Sequence, residues 1–397
     1  MAAEPWPARR WIAEGLLAAI GAALVLGALL ASPAWFDRHF LRAFFIPRGV
    51  FVAGEIGVRI AAAALGLVLA LVLRPRLGRL VARSSPRVLA ADVLRAALAL
   101  TLAVVVSELA LRALFSRAAE EAPSSREPLR RPDPRLGWVF APARVGHVSV
   151  AGRPIDYAFD ARGYRVPSLA QPVDPARPSM LFAGESTLTG FGLTWAESIP
   201  AQVGAALHLQ SANLSVFGYA DDQTYLRLAT ELPRFSHPAA VVILWSPGLF
   251  FRDFDDDRPH LGPGMIWRPA VQRWRFETLS RLFAAYHSDA EMDRTTALVR
   301  AELQADVALA RARGACALIV TPAFGPEDAA ERNLRQQVLD QPRLSYVRVD
   351  LDRRWRIAGD LHPDAHGARV IAVAITEALR RQTAQNGSGV SPCAAGQ

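Results

Sequence analysis

Two short stretches of this sequence hold residue types that together can transfer an acyl group. Gly184-Glu185-Ser186, with Gly190 and Gly192 just behind, puts a hydroxyl in a glycine-rich turn. Asp360-Leu361-His362-Pro363, followed by Asp364 and Gly367, puts an imidazole two residues from a carboxylate. A serine hydroxyl becomes a useful nucleophile when a base takes its proton, and the base needs a carboxylate to hold its tautomer and steady the imidazolium. Each stretch alone also fits a plainer reading. Gly-Glu-Ser is an ordinary turn, and a histidine near a helix start is usually a cap or surface residue. The G-x-S-x-G elbow is excluded, because Leu188 occupies its last glycine position.

The chemistry therefore depends on elements that bring the two stretches to one place. From about Ser179 the pattern alternates strand and helix. The strands read as 180–184, 214–218, 240–245, 315–320 and 345–351. The helices read as 197–208, 221–232, 292–313, 327–340 and 365–382. Short apolar strands separated by helices predict a parallel sheet covered on both faces, with right-handed crossovers. Ligands of such sheets bind beyond the carboxyl ends of the strands. Ser186 follows the first strand and Asp360 and His362 follow the fifth, so all three belong to that rim. Residues 246–290 form a long insertion, rich in Trp, Arg and Pro, that is expected to shape the cleft.

With these blocks the sequence resembles the SGNH (GDSL-like) hydrolase family, over roughly residues 135–382, in a membrane-anchored form. The first block appears as FAGESTLTGFGL, the second as NLSVFGYADDQ and the last as GDLHPDAHG. The upstream DARGYRVPS is similar to the lead-in of membrane-anchored members. The resemblance implies an α/β, three-layer, flavodoxin-like domain with a five-stranded parallel sheet. It implies Ser186 as nucleophile, His362 as base and Asp360 as its partner. The backbone N–H groups of Ser186 and Gly218 would form part of the oxyanion hole. Two departures stand out. Glu185 replaces the family's Asp. The third block, VVILWSPGLFFRD, has no oxyanion Asn, and Gly248 falls near that position. Loss of one oxyanion donor costs about 10²–10³ in rate. Ser246, Arg252 or the Gly248 N–H are the local substitutes, and Trp245 and Arg252 are the expected substrate contacts. The expected function is a membrane-tethered serine ester hydrolase or O-acyltransferase acting on an O-acylated substrate, a cell-surface glycan or a small ester. The alternative is a non-catalytic domain of the same kind that binds glycan or scaffolds the envelope.

The rest of the chain points to a membrane. Hydrophobic residues make up 51% and charged residues 21%, with a mean hydropathy of +0.16. All 45 basic residues are arginine. They are scattered or flank apolar segments, with no stripe interleaved with aromatics, so no nucleic-acid partner is expected. Residues 15–35 carry no charge, enough to cross the ~30 Å hydrocarbon layer. Further apolar segments run over 49–73 and 88–111, the last with only 96–107 uncharged. The loop between those two holds Arg74, Arg76, Arg79, Arg83 and Arg87 and no acid, which puts it and the N-terminus inside. The resulting organisation is a membrane region (1–115) with three spans, a polar linker (116–135), a small β lead-in (136–178), the hydrolase-like domain (179–382) and a disordered tail (383–397). Its expected location is the bacterial inner membrane, multi-pass, with the catalytic domain in the periplasm and the lipid bilayer as a partner.

No cofactor or metal is expected. His362 and His366 have helical i,i+4 spacing but lack an accompanying HExxH glutamate. The run Asp253, Asp255, Asp256 and Asp257 reads as a solvated loop paired with Arg252 and Arg258. Trp245, Trp267 and Trp274 are candidates to stack on sugar rings or to pack the insertion. Cys316 and Cys393 indicate neither a disulfide framework nor a zinc site.

Overall fold

The apolar N-terminal third folds as helices. The computed structural model describes residues 7–40, 47–114, 123, 127–271 and 286–385. The chain divides into two compact units, the first built from 1–42, 46–116 and 274–289 and the second from the rest. Half of the expected linker, Trp274 and the tail beyond 385 lie outside the described residues.

In the first unit three helices are long and apolar enough to cross a membrane: Ala8–Leu30, Arg48–Arg83 and Pro86–Ala113. The second is continuous through a π-turn at Val68–Leu73, just ahead of Pro75, whose missing N–H would interrupt the α-ladder there. The first and second helices meet at glycines. A Cβ on Gly21 would lie 2.5 Å from the Gly66 carbonyl oxygen, and one on Gly66 would lie 2.6 Å from that of Gly21. Small residues let two helix backbones approach this closely.

The second unit is built on a sheet. Its first strands are β1 (Arg130–Asp133), β2 (Gly137–Phe140), β3 (Arg144–Val150), β4 (Arg153–Phe159) and β5 (Arg165–Val166). Next come β6 (Ser179–Ala183), β7 (Gln210–Asn213) and β8 (Pro238–Leu244). The hairpin of β9 (His260–Gly262) and β10 (Ile266–Arg268) lies in the insertion, and β11 (Cys316–Phe324) and β12 (Tyr346–Leu351) follow. Eight of these form one sheet in the order β12-β11-β8-β6-β7-β5-β4-β3. The pairs from β12 to β7 are parallel and those from β7 to β3 antiparallel.

This differs from the expectation in two ways. The sheet is mixed and larger than five parallel strands, because the lead-in strands β3–β5 extend it through the Arg165–Asn213 pairing instead of packing on it. The second strand is also displaced. It is Gln210–Asn213, and the apolar LSVFG run is the loop beyond it. That loop is buried like a strand, with Leu214 and Val216 at 1% and 0% exposure. Its N–H groups are satisfied by the end of β6, Leu214 donating to the Phe182 carbonyl at 2.9 Å and Val216 to that of Gly184 at 3.1 Å. Apolar runs alone do not separate these two cases.

The central strands are covered on both faces, so they read as continuous apolar runs. Met180, Phe182 and Val242 pack with Ile199, Val203, Ile371 and Ile375 of helices Ile199–Leu207 and Ala365–Gln385. Leu181, Val241 and Ile243, which point the other way, are equally buried. Cys316 is disulfide-bonded, contrary to the sequence reading. The acidic run is also less solvated than expected: Asp253 accepts a hydrogen bond from the Asp221 N–H at 3.1 Å.

Candidate functional site: a serine, a histidine and two acids at the sheet rim

From β6 the chain steps to β7 on one side and then to β8 on the other, so the end of β6 is the switch point where a crevice forms. Ser186 sits there, opening the helical turn Ser186–Thr189. Gly184 is needed for a close approach, since a Cβ on it would lie 2.9 Å from that of Leu244. Glu185 caps the turn, accepting from the Thr187 N–H at 3.0 Å.

The second stretch arrives from the loop after β12. Ile357 N–H donates to the His362 carbonyl at 3.0 Å, and Asp364 N–H to that of Trp355 at 3.0 Å. This folds residues 355–364 into a tight hairpin-like loop that ends at the helix Ala365–Gln385. Asp360 turns its carboxylate inward, accepting from the His362 N–H at 2.9 Å and the Leu361 N–H at 2.5 Å.

The two stretches meet. His362 Nε2 is 2.7 Å from Ser186 Oγ, and His362 Nδ1 is 2.6 Å from Asp360 Oδ1. Burial alone would raise the Asp360 carboxyl. Hydrogen bonds from the His362 ring and backbone and from Leu361 outweigh it and pull the group down to about 2. Asp360 is thus an anion over the whole working range, so it holds Nδ1–H and leaves Nε2 free to accept a proton.

A further carboxylate adjoins the nucleophile. Glu185 accepts a hydrogen bond from the Ser186 hydroxyl, and its Oε2 lies 3.8 Å from Arg252 Nη1. Glu185 is fully buried, which would raise its carboxyl. The charges of Arg252 and His362 and the hydrogen bonds from Ser186 and Thr187 hold it below its ordinary value.

Gly218, the expected oxyanion donor, takes a positive φ of 79° in the loop after β7, and its carbonyl accepts from Arg258 Nη1 at 3.2 Å. Gly248 is buried in the 3₁₀ turn Pro247–Phe254 after β8. Two sequence expectations fail here. Trp245 is 1% exposed and closes the core at the end of β8, so it offers no stacking face to a sugar. Arg252 is also buried and faces inward, toward Glu185 and the Tyr219 carbonyl, which it reaches at 3.3 Å. It therefore supports the nucleophile turn instead of contacting substrate from the open side. No group of three or more potential metal ligands is found among the described residues.

No family model matches the chain, and no curated protein matches it. The solved structures that match include proteins named as GDSL or SGNH hydrolases and others named as carbohydrate esterases. One is a GDSL-like lipase from Bacteroides thetaiotaomicron, at 15% identity and TM-score 0.31, over 54% of this chain and 92% of that one. Another is an acetyl xylan esterase from Butyrivibrio proteoclasticus, at 11% and 0.33, over 53% and 65%. A third is a carbohydrate acetylesterase family member from Sinorhizobium meliloti, at 13% and 0.33, over 51% and 98%. With likeness at this level, the functional reading rests on the geometry of Ser186, His362 and Asp360.

Sequence reasoning missed one layer of the site. Phe191 packs against the His362 ring at 4.7 Å between centroids. Behind it the buried Arg165 and Tyr157 hold the loop that follows the nucleophile turn. The only sequence signals were the two glycines flanking Phe191 and the DARGYRVPS stretch.

Proposed function

We propose that the protein is a membrane-tethered serine ester hydrolase or O-acyltransferase that works through an acyl-enzyme. The observation that carries this reading is the relay from Ser186 Oγ through His362, 2.7 Å on one side, to Asp360, 2.6 Å on the other. The Ser186 hydroxyl, which donates to Glu185 at rest, turns its one proton to His362 Nε2 as Oγ attacks the acyl carbonyl. Collapse of the tetrahedral anion breaks the ester bond, and the departing alkoxide takes the proton back from Nε2. A water or an acceptor hydroxyl then attacks the acyl-enzyme, giving its proton to Nε2. The second collapse returns that proton to Ser186 Oγ. Water yields the free acid and a hydroxyl acceptor yields a new ester. The N–H groups of Ser186, Gly218 and Gly248 are the donors assigned to the oxyanion, with Gly248 standing where an asparagine would otherwise serve.

The proposed substrate is O-acylated, with a cell-surface glycan as the class that fits a tethered enzyme. The proposed location is a bacterial inner membrane. Three spans and an inside N-terminus would put the domain in the periplasm. The full chain in detergent should hydrolyse p-nitrophenyl acetate, and Ser186→Ala should abolish that activity with the fold intact. An inactive parent protein would favour the binding or scaffold reading. An alkaline phosphatase fused after residue 385 should be active in cells; an inactive fusion would reject the topology.

A further inference from the structure

We propose that Arg165 and Tyr157, carried by the lead-in strands β5 and β4, are positioning residues for His362, acting through the loop 190–193. This rests on the serine esterase reading of Ser186 and His362. Arg165 is 1% exposed. A guanidinium buried this deeply must be hydrogen-bonded to be tolerated. Its bonds go to the loop that follows the nucleophile turn. Nη1 donates to the carbonyls of Thr189 at 2.5 Å and Gly190 at 2.8 Å, and Nη2 to that of Leu193 at 2.6 Å. The same guanidinium lies 4.4 Å over the Tyr157 ring, and the Tyr157 hydroxyl accepts from the Gly192 N–H at 2.8 Å. Two strands that carry no reacting atom thus fix the loop from behind.

The loop in turn meets the histidine segment at two points. Phe191 projects from between Gly190 and Gly192 onto the imidazole, 4.7 Å away and tilted by 40°, and also meets the Phe217 ring at 5.3 Å. Gly192 packs so tightly under Ile357 that a Cβ would lie 2.4 Å from its Cδ1. Ile357 is the residue whose N–H holds the His362 carbonyl. A Cβ on Gly190 would lie 2.5 Å from Arg165 Nη1, so the glycine is what lets the guanidinium approach. Asp360 therefore fixes the imidazole through one ring nitrogen, while the lead-in fixes it from its face. Misplacement of a reacting group by about 1 Å costs up to ~10²-fold in rate.

The test uses the full chain in detergent, p-nitrophenyl acetate as substrate, and ¹³C-histidine labelling with His362 assigned by its loss in His362→Gln. Tyr157→Phe keeps the ring under the guanidinium and removes only the hydroxyl. We expect it to lower kcat about 10-fold with KM within about two-fold, and to shift the His362 ring resonance as Phe191 moves. Phe191→Leu should lower kcat similarly, and the double variant should be no worse than Phe191→Leu alone, because both act along one route. Arg165→Lys, which keeps the charge and loses the fork, should move the same resonance. The proposal is overturned if Tyr157→Phe lowers Tm while kcat and the His362 resonance stay put, or if the two substitutions combine additively. A parent that turns over no ester defeats the esterase reading, and the resonance then decides the positioning claim by itself.

Discussion

Glu185 and Asp306 are acids of the same unit, 4% and 1% exposed, yet they meet opposite fates. Glu185 is held below its ordinary pKa, because Arg252, His362, Ser186 and Thr187 all favour its charge more than burial opposes it. Asp306, on the helix Asp289–Ala312, is pushed well above its ordinary value by burial. One turn earlier Glu302 is pushed up by burial and then by the neighbouring carboxylates. All four carboxylate oxygens of that pair are buried without a hydrogen-bond partner. Depth does not decide the charge of a buried acid; the supply of donors and cations does. The rim of the sheet spends its arginine and N–H groups on Glu185 and Asp360, while burial without such partners raises both acids of the inner pair.

The largest effect expected from this contrast is on catalysis. Ser186→Ala should lower ester hydrolysis by about 10⁴-fold or more, with an unchanged melting profile by circular dichroism. Asp360→Asn keeps the shape and removes the anion, so kcat should fall about 10³-fold. If the two variants retain near-parental rates, the rim acids are not the polarised set described here.

Stability comes next. Glu185→Gln leaves Arg252 without that buried carboxylate and should cost about 3 kcal/mol in thermal or urea unfolding of the full chain in detergent. Asp306→Asn should cost less than Glu185→Gln, because burial already favours the neutral form of the parent side chain. A cost for Asp306→Asn equal to that for Glu185→Gln would erase the distinction between the two regions.

The smallest effects are in the pH profile, and their signs differ. Asp360, lowered to about 2, contributes stability that is present above its unfolded value and lost as pH falls through 2. Asp221, raised to about 8 by burial and by the charges of Asp306 and Asp222, works the other way. Its contribution is full below its unfolded value and is lost as pH rises through 8. Melting temperature should therefore decline as pH rises from about 4 to 8 and level off above 8, and Asp306→Asn should flatten that decline. The acid limb of kcat/KM should survive in form without a step near pH 4, since Asp360 does not titrate there.

Much of the framework was legible in one dimension. Strand runs such as AVVILW and ACALIV are apolar throughout because both sheet faces are covered, and the structure places them at β8 and β11. The run LSVFG misled for the same reason, since a buried loop satisfied by the β6 carbonyls has the composition of a strand. The destination of Arg165 was not legible at all. Its partners are carbonyl groups, which every residue possesses, so no residue type marks them. Trp245 and Arg252 were read as facing the cleft because residue type says nothing of which side of a sheet end a side chain takes.

The sequence by itself determined the order of strands and helices, the long apolar helices, and the pairing of a serine turn with an Asp-x-His turn. Those properties follow from side-chain chemistry and local periodicity, which are written residue by residue. Only the tertiary structure decided which acids are charged, which arginines are spent inside, and that Ser186 and His362 stand 2.7 Å apart. Proton affinity and contact depend on groups a few ångströms away in space, and here those groups come from strands and loops far apart along the chain.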